Sequence, residues 1–268
     1  MRTQKPMTAN AHCPRATASA SRGFSLLEML VALAILTVVI GVAVEGLIQM
    51  QRRSFAESSK TDTVQESRDF VDQMVRDIHD VGYPPGRVES GNPSCVGNAS
   101  VACGMISFSS TQVIYEGDLD GSGTVYRVWL QLKTPASGNC PCTLQRGVLT
   151  KTAVILNPAA QPFYFTEVDG VLNSGDGAGG HVYGVSLSGP GSYSTYTNTD
   201  VFDAYDLNGG PIASCGPLAG PCSSIRSLQI SANVASSYPD PKTNIFAVYS
   251  ITSKARVNNA AIDGPPGP

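Results

Sequence analysis

From Phe24 to Met50 the chain reads FSLLEMLVALAILTVVIGVAVEGLIQM, and no charged residue occurs between Met29 and Val44. As a helix rising 1.5 Å per residue, Phe24 to Ile48 spans about 37 Å, enough to cross the hydrocarbon of a bilayer. The run is too long for the apolar region of an ordinary signal peptide, and no A-x-A site follows it. It therefore predicts a membrane-spanning helix, and it leaves one residue to explain. Glu28 lies five residues in, where an ionised carboxylate costs about 3 kcal/mol or more.

The flanks orient the span. Residues 1–23 carry Arg2, Lys5, Arg15 and Arg22 and no acid, so the rest of the chain holds −7 against an overall charge of −3. The basic leader stays cytoplasmic and the acidic body lies outside. That body gives no reason to expect a nucleic-acid partner. With 27 Gly, 18 Pro and 15% charged residues in 268, it reads as turn-rich and β-rich.

Beyond the span, Gln51 to Val81 contains neither Pro nor Gly. Apolar residues recur at Val64, Val71, Met74, Val75, Ile78 and Val81, the spacing of one helix face. Asp72, Arg76 and Asp80 fall elsewhere, and Gly82, Pro84 and Pro85 end the pattern. One helix over Phe24–Val81 is expected, apolar all round in its first half and amphipathic in its second. Glu45 falls near the outer interface and reads as solvated.

These boundaries divide the chain into a leader (1–23), a spanning helix (24–50), its amphipathic continuation (51–82) and a head (83–268). The fold class is α+β, a long N-terminal helix packed on a β-rich head. Expected strands are Met105–Phe108, Gln112–Glu116, Thr124–Leu132, Thr143–Leu149, Pro162–Val168, Ile225–Val234 and Phe246–Ser253, several of them alternating apolar with polar. Gly- and Ser-rich loops lie between them, notably Asn173–Gly191 and Pro211–Pro221, and the tail Asp263–Pro268 is expected to be disordered.

Apart from Cys13 in the leader, six cysteines lie beyond the span: Cys95, Cys103, Cys140, Cys142, Cys215 and Cys222. An even number in an exported head points to disulfides. Cys95 with Cys103 and Cys215 with Cys222 are the local choices, whereas a bridge between Cys140 and Cys142 spans a single residue and is strained. A zinc site lacks the C-x-x-C spacing and enough histidine, since only His12, His79 and His181 occur. In Tyr115–Thr124, Asp118, Asp120 and Ser122 have the alternate spacing of a calcium loop, but Trp129 stands where the closing glutamate would be. The strand-like flanks favour a plain hairpin turned by Asp-Gly, with calcium the alternative. No P-loop, G-x-S-x-G or H-E-x-x-H pattern occurs, so the chain reads as a non-enzyme without a cofactor.

Arg22-Gly23-Phe24-Ser25-Leu26-Leu27-Glu28 resembles the processing signal of type IV prepilins and type II secretion pseudopilins. The resemblance implies that a prepilin peptidase cuts between Gly23 and Phe24 and N-methylates Phe24. Gly23, lacking a side chain, suits a narrow protease cleft. The helix would then leave the inner membrane for the core of a filament of major and minor pilins, with Glu28 pairing the new amine and setting subunit register. Val201–Gly210, Ser224–Ser231 and Arg256–Asn259 resemble the strand, Tyr-Asp-x-Asn-Gly turn and Ile-Arg-x-Leu strand of PilW-type minor pilins and J-type pseudopilins. That implies a minor pilin that primes or caps assembly and ends at the cell surface. Alternatives are a pseudopilin of a secretion or DNA-uptake machine, a membrane-anchored adhesin that never polymerises, and a calcium-dependent periplasmic enzyme.

Overall fold

The computed structural model describes residues 24–84, 95–136, 140–173, 199–216, 222–243 and 245–257. The leader with Gly23, His181, most of the loop after Asn173, residues 217–221 and the tail lie outside the described residues. The chain forms two units, residues 1–48 and 49–268.

The first unit carries the start of helix α1 (Leu26–Asp80). Its apolar side chains are exposed on every side, Phe24 at 74% and Leu26 at 82%. Among the described residues α1 is the one helix long and apolar enough to cross a membrane, and its most apolar window has no buried residue.

The second unit is built on the later turns of α1 and a nine-stranded antiparallel sheet. The strands are β1 (Met105–Phe108), β2 (Gln112–Gly117), β3 (Tyr126–Lys133), β4 (Cys142–Thr150), β5 (Tyr164–Val171), β6 (Phe202–Tyr205), β7 (Pro211–Ile212), β8 (Ser227–Ala235) and β9 (Val248–Arg256). They run in the order β1-β2-β3-β4-β5-β8-β6-β7, with β9 on the other edge of β8. Strands β5 and β6 share one edge of β8: Val171 pairs with Val234, and Phe202 with Ile230. The Asn173 side chain bridges this junction, donating to the Ser231 carbonyl and accepting from the Asn233 N–H.

Phe70, Val71, Met74 and Ile78 of the helix, with Val81 just beyond its end, bury one stripe against Val113, Tyr115, Val128, Leu130, Leu144, Val168 and Val234 of the sheet. The stripe differs from the expected one in two ways. Val64 and Val75 are only half-buried, and the buried positions before Phe70 are Ala56, Ser59, Thr63 and Ser67. Thr63 and Ser67 donate their hydroxyls to the carbonyls four residues back, and Ser59 Oγ accepts from the distant Ser237 N–H. Asp77 is also buried in the stripe.

All seven expected strands occur, with ends shifted by a few residues. Helix α2 (Lys151–Leu156) and strand β7 were not expected. Thr150 caps α2 by accepting from the Ala153 N–H. The Tyr-Asp-x-Asn-Gly turn lies between β6 and β7, where Asp206 Oδ1 accepts from the N–H groups of Asn208 and Gly210. Gly209 has φ of 81°, a conformation that favours glycine.

Candidate processing and assembly site

Phe24 and Ser25 precede the first turn of α1, and the Ser25 carbonyl accepts from the N–H groups of Glu28 (2.9 Å) and Met29 (3.1 Å). Glu28 thus lies in the first turn, at the end of the helix where unpaired N–H groups favour a negative charge. It is exposed, and its neighbours Leu26, Leu27, Met29 and Leu30 are exposed apolar residues. Among the described residues the ion pairs join Lys60, Arg127, Arg146 and Lys151 to Glu57, Asp240, Glu116 and Asp77, and none reaches Glu28.

The head treats its acids differently. Glu116 is fully buried and takes four donors: Lys151 Nζ at 2.6 Å, Arg127 Nη2 at 2.6 Å, Arg127 Nε at 3.0 Å and the Cys103 N–H at 2.9 Å. Lys151, 1% exposed, also donates to the carbonyls of Cys95 (2.7 Å) and Val101 (2.6 Å). The Cys95–Cys103 disulfide closes the loop that supplies these groups. Asp77 accepts from Tyr115 Oη at 2.9 Å, Arg146 Nη2 at 2.7 Å and Gln73 Nε2 at 2.8 Å. Burial pushes the Tyr115 phenol well above its usual range, and the Asp77 charge adds to the shift. Burial opposes the charge on Arg146, but Asp77, together with Tyr115 and Glu167, more than offsets it and holds the guanidinium above its ordinary value. Nothing in the strand and helix periodicity singles out these two clusters. The available signal was an acid or a lysine inside an otherwise apolar stretch, as in Val113-Ile-Tyr-Glu116.

The cysteines pair as Cys95–Cys103, Cys140–Cys142 and Cys215–Cys222. The tight Cys140–Cys142 bridge, with Cα atoms 4.4 Å apart, therefore forms, and both cysteines are buried. Asp118, Asp120 and Ser122 lie in the turn of the β2–β3 hairpin, so the hairpin and the acidic loop are one feature. No cluster of three or more His, Cys, Asp or Glu side chains able to hold a metal occurs among the described residues.

Residues 18–44 match the family model for the prokaryotic N-terminal methylation motif. The chain has a type IV prepilin-like N-terminus. The match covers the end of the leader, Gly23, Phe24, Glu28 and most of the apolar run. No curated protein and no solved structure matches the chain. A prepilin-like N-terminus implies a precursor that is cleaved and methylated by a prepilin peptidase and assembles with other pilins, a structural role rather than a catalytic one. The exposed apolar helix start is consistent with membrane anchoring in such a precursor.

Proposed function

We propose that this prepilin-like chain is a minor type IV pilin. It is cut between Gly23 and Phe24, methylated on Phe24, and inserted by its helix into a filament where its β-rich head primes or caps assembly. The observation that carries the reading is the methylation motif over residues 18–44, joined to a run that holds a single early acid. Scission turns the Phe24 nitrogen into a cationic amine one helical turn from Glu28. In apolar surroundings an unpaired charge is heavily penalised, whereas the pair attracts strongly. Apolar faces slide past one another, so an amine of one subunit and the Glu28 of the same or a neighbouring subunit fix the axial offset. The PilW-like order of β6, the Asp206 turn and β8 supports the minor-pilin assignment over a plain anchored adhesin. The lack of proline in α1, which many major pilins carry, argues against the bulk subunit of the filament.

The test is processing. Gly23→Val places a β-branched side chain at the scissile bond and is expected to leave the precursor at full length in cells that contain the peptidase. A normally shortened product on a gel would overturn the assigned cleavage site. A parent chain that keeps its leader in the same cells would instead support the anchored-adhesin alternative.

A further inference from the structure

We propose that Phe55 of α1 and the loop 238–241 form a surface that rests on the headgroup layer of an anionic bilayer before the chain enters a filament. Phe55 and Tyr238 are 65% and 58% exposed, and with Arg52, Pro239 and Pro241 they line one open groove. Exposed aromatic rings beside a cation suit the membrane interface, where hydrocarbon meets polar headgroups. The inference rests on the reading of the apolar run as a membrane span.

The loop is tied down, so its exposed ring is held in place. The Ser237 N–H donates to Ser59 Oγ of α1 at 3.1 Å, and Ser236 Oγ donates to the Tyr238 carbonyl at 2.9 Å. Asp240 Oδ1 accepts from the N–H groups of Lys242 at 2.8 Å and Thr243 at 3.2 Å. Its other oxygen lies 4.0 Å from Lys60 of the helix. Helix and loop thus present Phe55 and Tyr238 to one groove.

Position and charge both select lipid as the occupant. Phe55 follows Met50, the end of the apolar run, by five residues, about 8 Å of helix, which is close to the depth of one headgroup layer. The run itself is about 37 Å long against about 30 Å of hydrocarbon. A stretch longer than the bilayer core is accommodated by tilting, which lowers one flank of the emerging chain onto the headgroups. Residues 51–60 and 236–243 hold four cations, Arg52, Arg53, Lys60 and Lys242, against two acids, Glu57 and Asp240. Lys60 takes both acids, while Arg52, Arg53 and Lys242 join no ion pair among the described residues. This local excess of positive charge stands in a chain that holds −7 beyond its leader, and it complements anionic headgroups.

The test places the full chain in vesicles of phosphatidylcholine, alone or mixed equally with phosphatidylglycerol, and reads tryptophan quenching by lipids brominated on the acyl chain. Trp129, 7% exposed in the head, gives the baseline in the parent. Leu36→Trp reports on the span and Tyr238→Trp on the proposed surface. Both probes are expected to be quenched well above the baseline, and the Tyr238 probe to shift to the blue and to be quenched more strongly with phosphatidylglycerol. Replacing Arg52, Arg53 and Lys242 together by glutamine should remove that lipid dependence without changing the Leu36 probe. An unquenched Leu36 probe would remove the span, and this surface with it. A quenched Leu36 probe beside a Tyr238 probe that stays at the baseline, or that ignores phosphatidylglycerol, overturns the surface alone. A Tyr238 probe that shifts to the blue only as the protein is concentrated in detergent gives the groove to a second copy, and also overturns it.

Discussion

Glu28 and Glu116 are both acids set among apolar residues, and the chain handles them in opposite ways. Glu116 lies in the head, fully buried, with two cations and a backbone N–H on its oxygens. Glu28 lies in the first turn of a helix whose apolar side chains are exposed all round, with no ion pair among the described residues. The head completes its own buried chemistry within one chain. The start of the helix does not: its apolar side chains are exposed and Glu28 has no ion pair among the described residues, which is consistent with a segment that a membrane or other subunits cover. The contrast separates what folding satisfies from what assembly must satisfy.

If that contrast holds, the largest effects on stability belong to the head. Lys151→Met leaves Glu116 buried with Arg127 as its one side-chain cation, and breaking such a pair is expected to destabilise by about 3–5 kcal/mol in denaturant unfolding of the full chain in detergent. A loss below about 1 kcal/mol would mean that Glu116 is no better provided for than Glu28. Replacing Cys95 and Cys103 together by serine removes the bridge that closes the loop over Lys151, and about 2–3 kcal/mol should be lost for a loop of this size. An unchanged unfolding midpoint would show that the loop holds its carbonyls on Lys151 unaided.

Tyr115→Phe should cost about 1–2 kcal/mol, because Asp77 keeps Arg146 and Gln73 while losing one donor. The same variant sharpens the comparison through pH. The folded-state pKa of Tyr115 is raised well above the ordinary 10.0, so its contribution is fully present below about pH 10. It is lost as the pH rises further, because the unfolded phenol ionises while the buried one resists. The phenylalanine variant should therefore lose stability less steeply above pH 10, and parallel curves would break this account of the Asp77 cluster.

The smallest effect on stability is expected at Glu28. Glu28→Ala should change unfolding of the head by less than about 0.5 kcal/mol, since nothing in the head depends on it. Cleavage should continue, but recovery of the variant in sheared filaments should fall sharply. Normal recovery would remove Glu28 from any role in register.

Much of this contrast was legible in the residues. The apolar run, its basic leader and the extent of α1 follow from hydropathy and from the Gly82-Tyr-Pro-Pro85 stop, because each rests on local chemistry. The strands were legible for the same reason, since alternation in segments such as Val125–Leu132 reports one buried face. What escaped were features made by distant residues. Ser59, Thr63 and Ser67 look like a solvated face, yet all three are buried, and Ser237, 178 positions away, donates its N–H to Ser59. Asp77 and Lys151 look like surface charges until Arg146 and Glu116, 69 and 35 positions away, arrive beside them. Periodicity carries no information about such partners. Helix α2 was missed for a milder reason: six residues are too few to establish a period, although Thr150 had the side chain of a cap.

Mass analysis of the N-terminal peptide of the chain, extracted from membranes and filaments of cells with a working prepilin peptidase, is the most direct test. The peptide is expected to begin with N-methylated Phe24. A chain that still carries Gly23 and the residues before it would contradict the claim that Glu28 awaits a new amine.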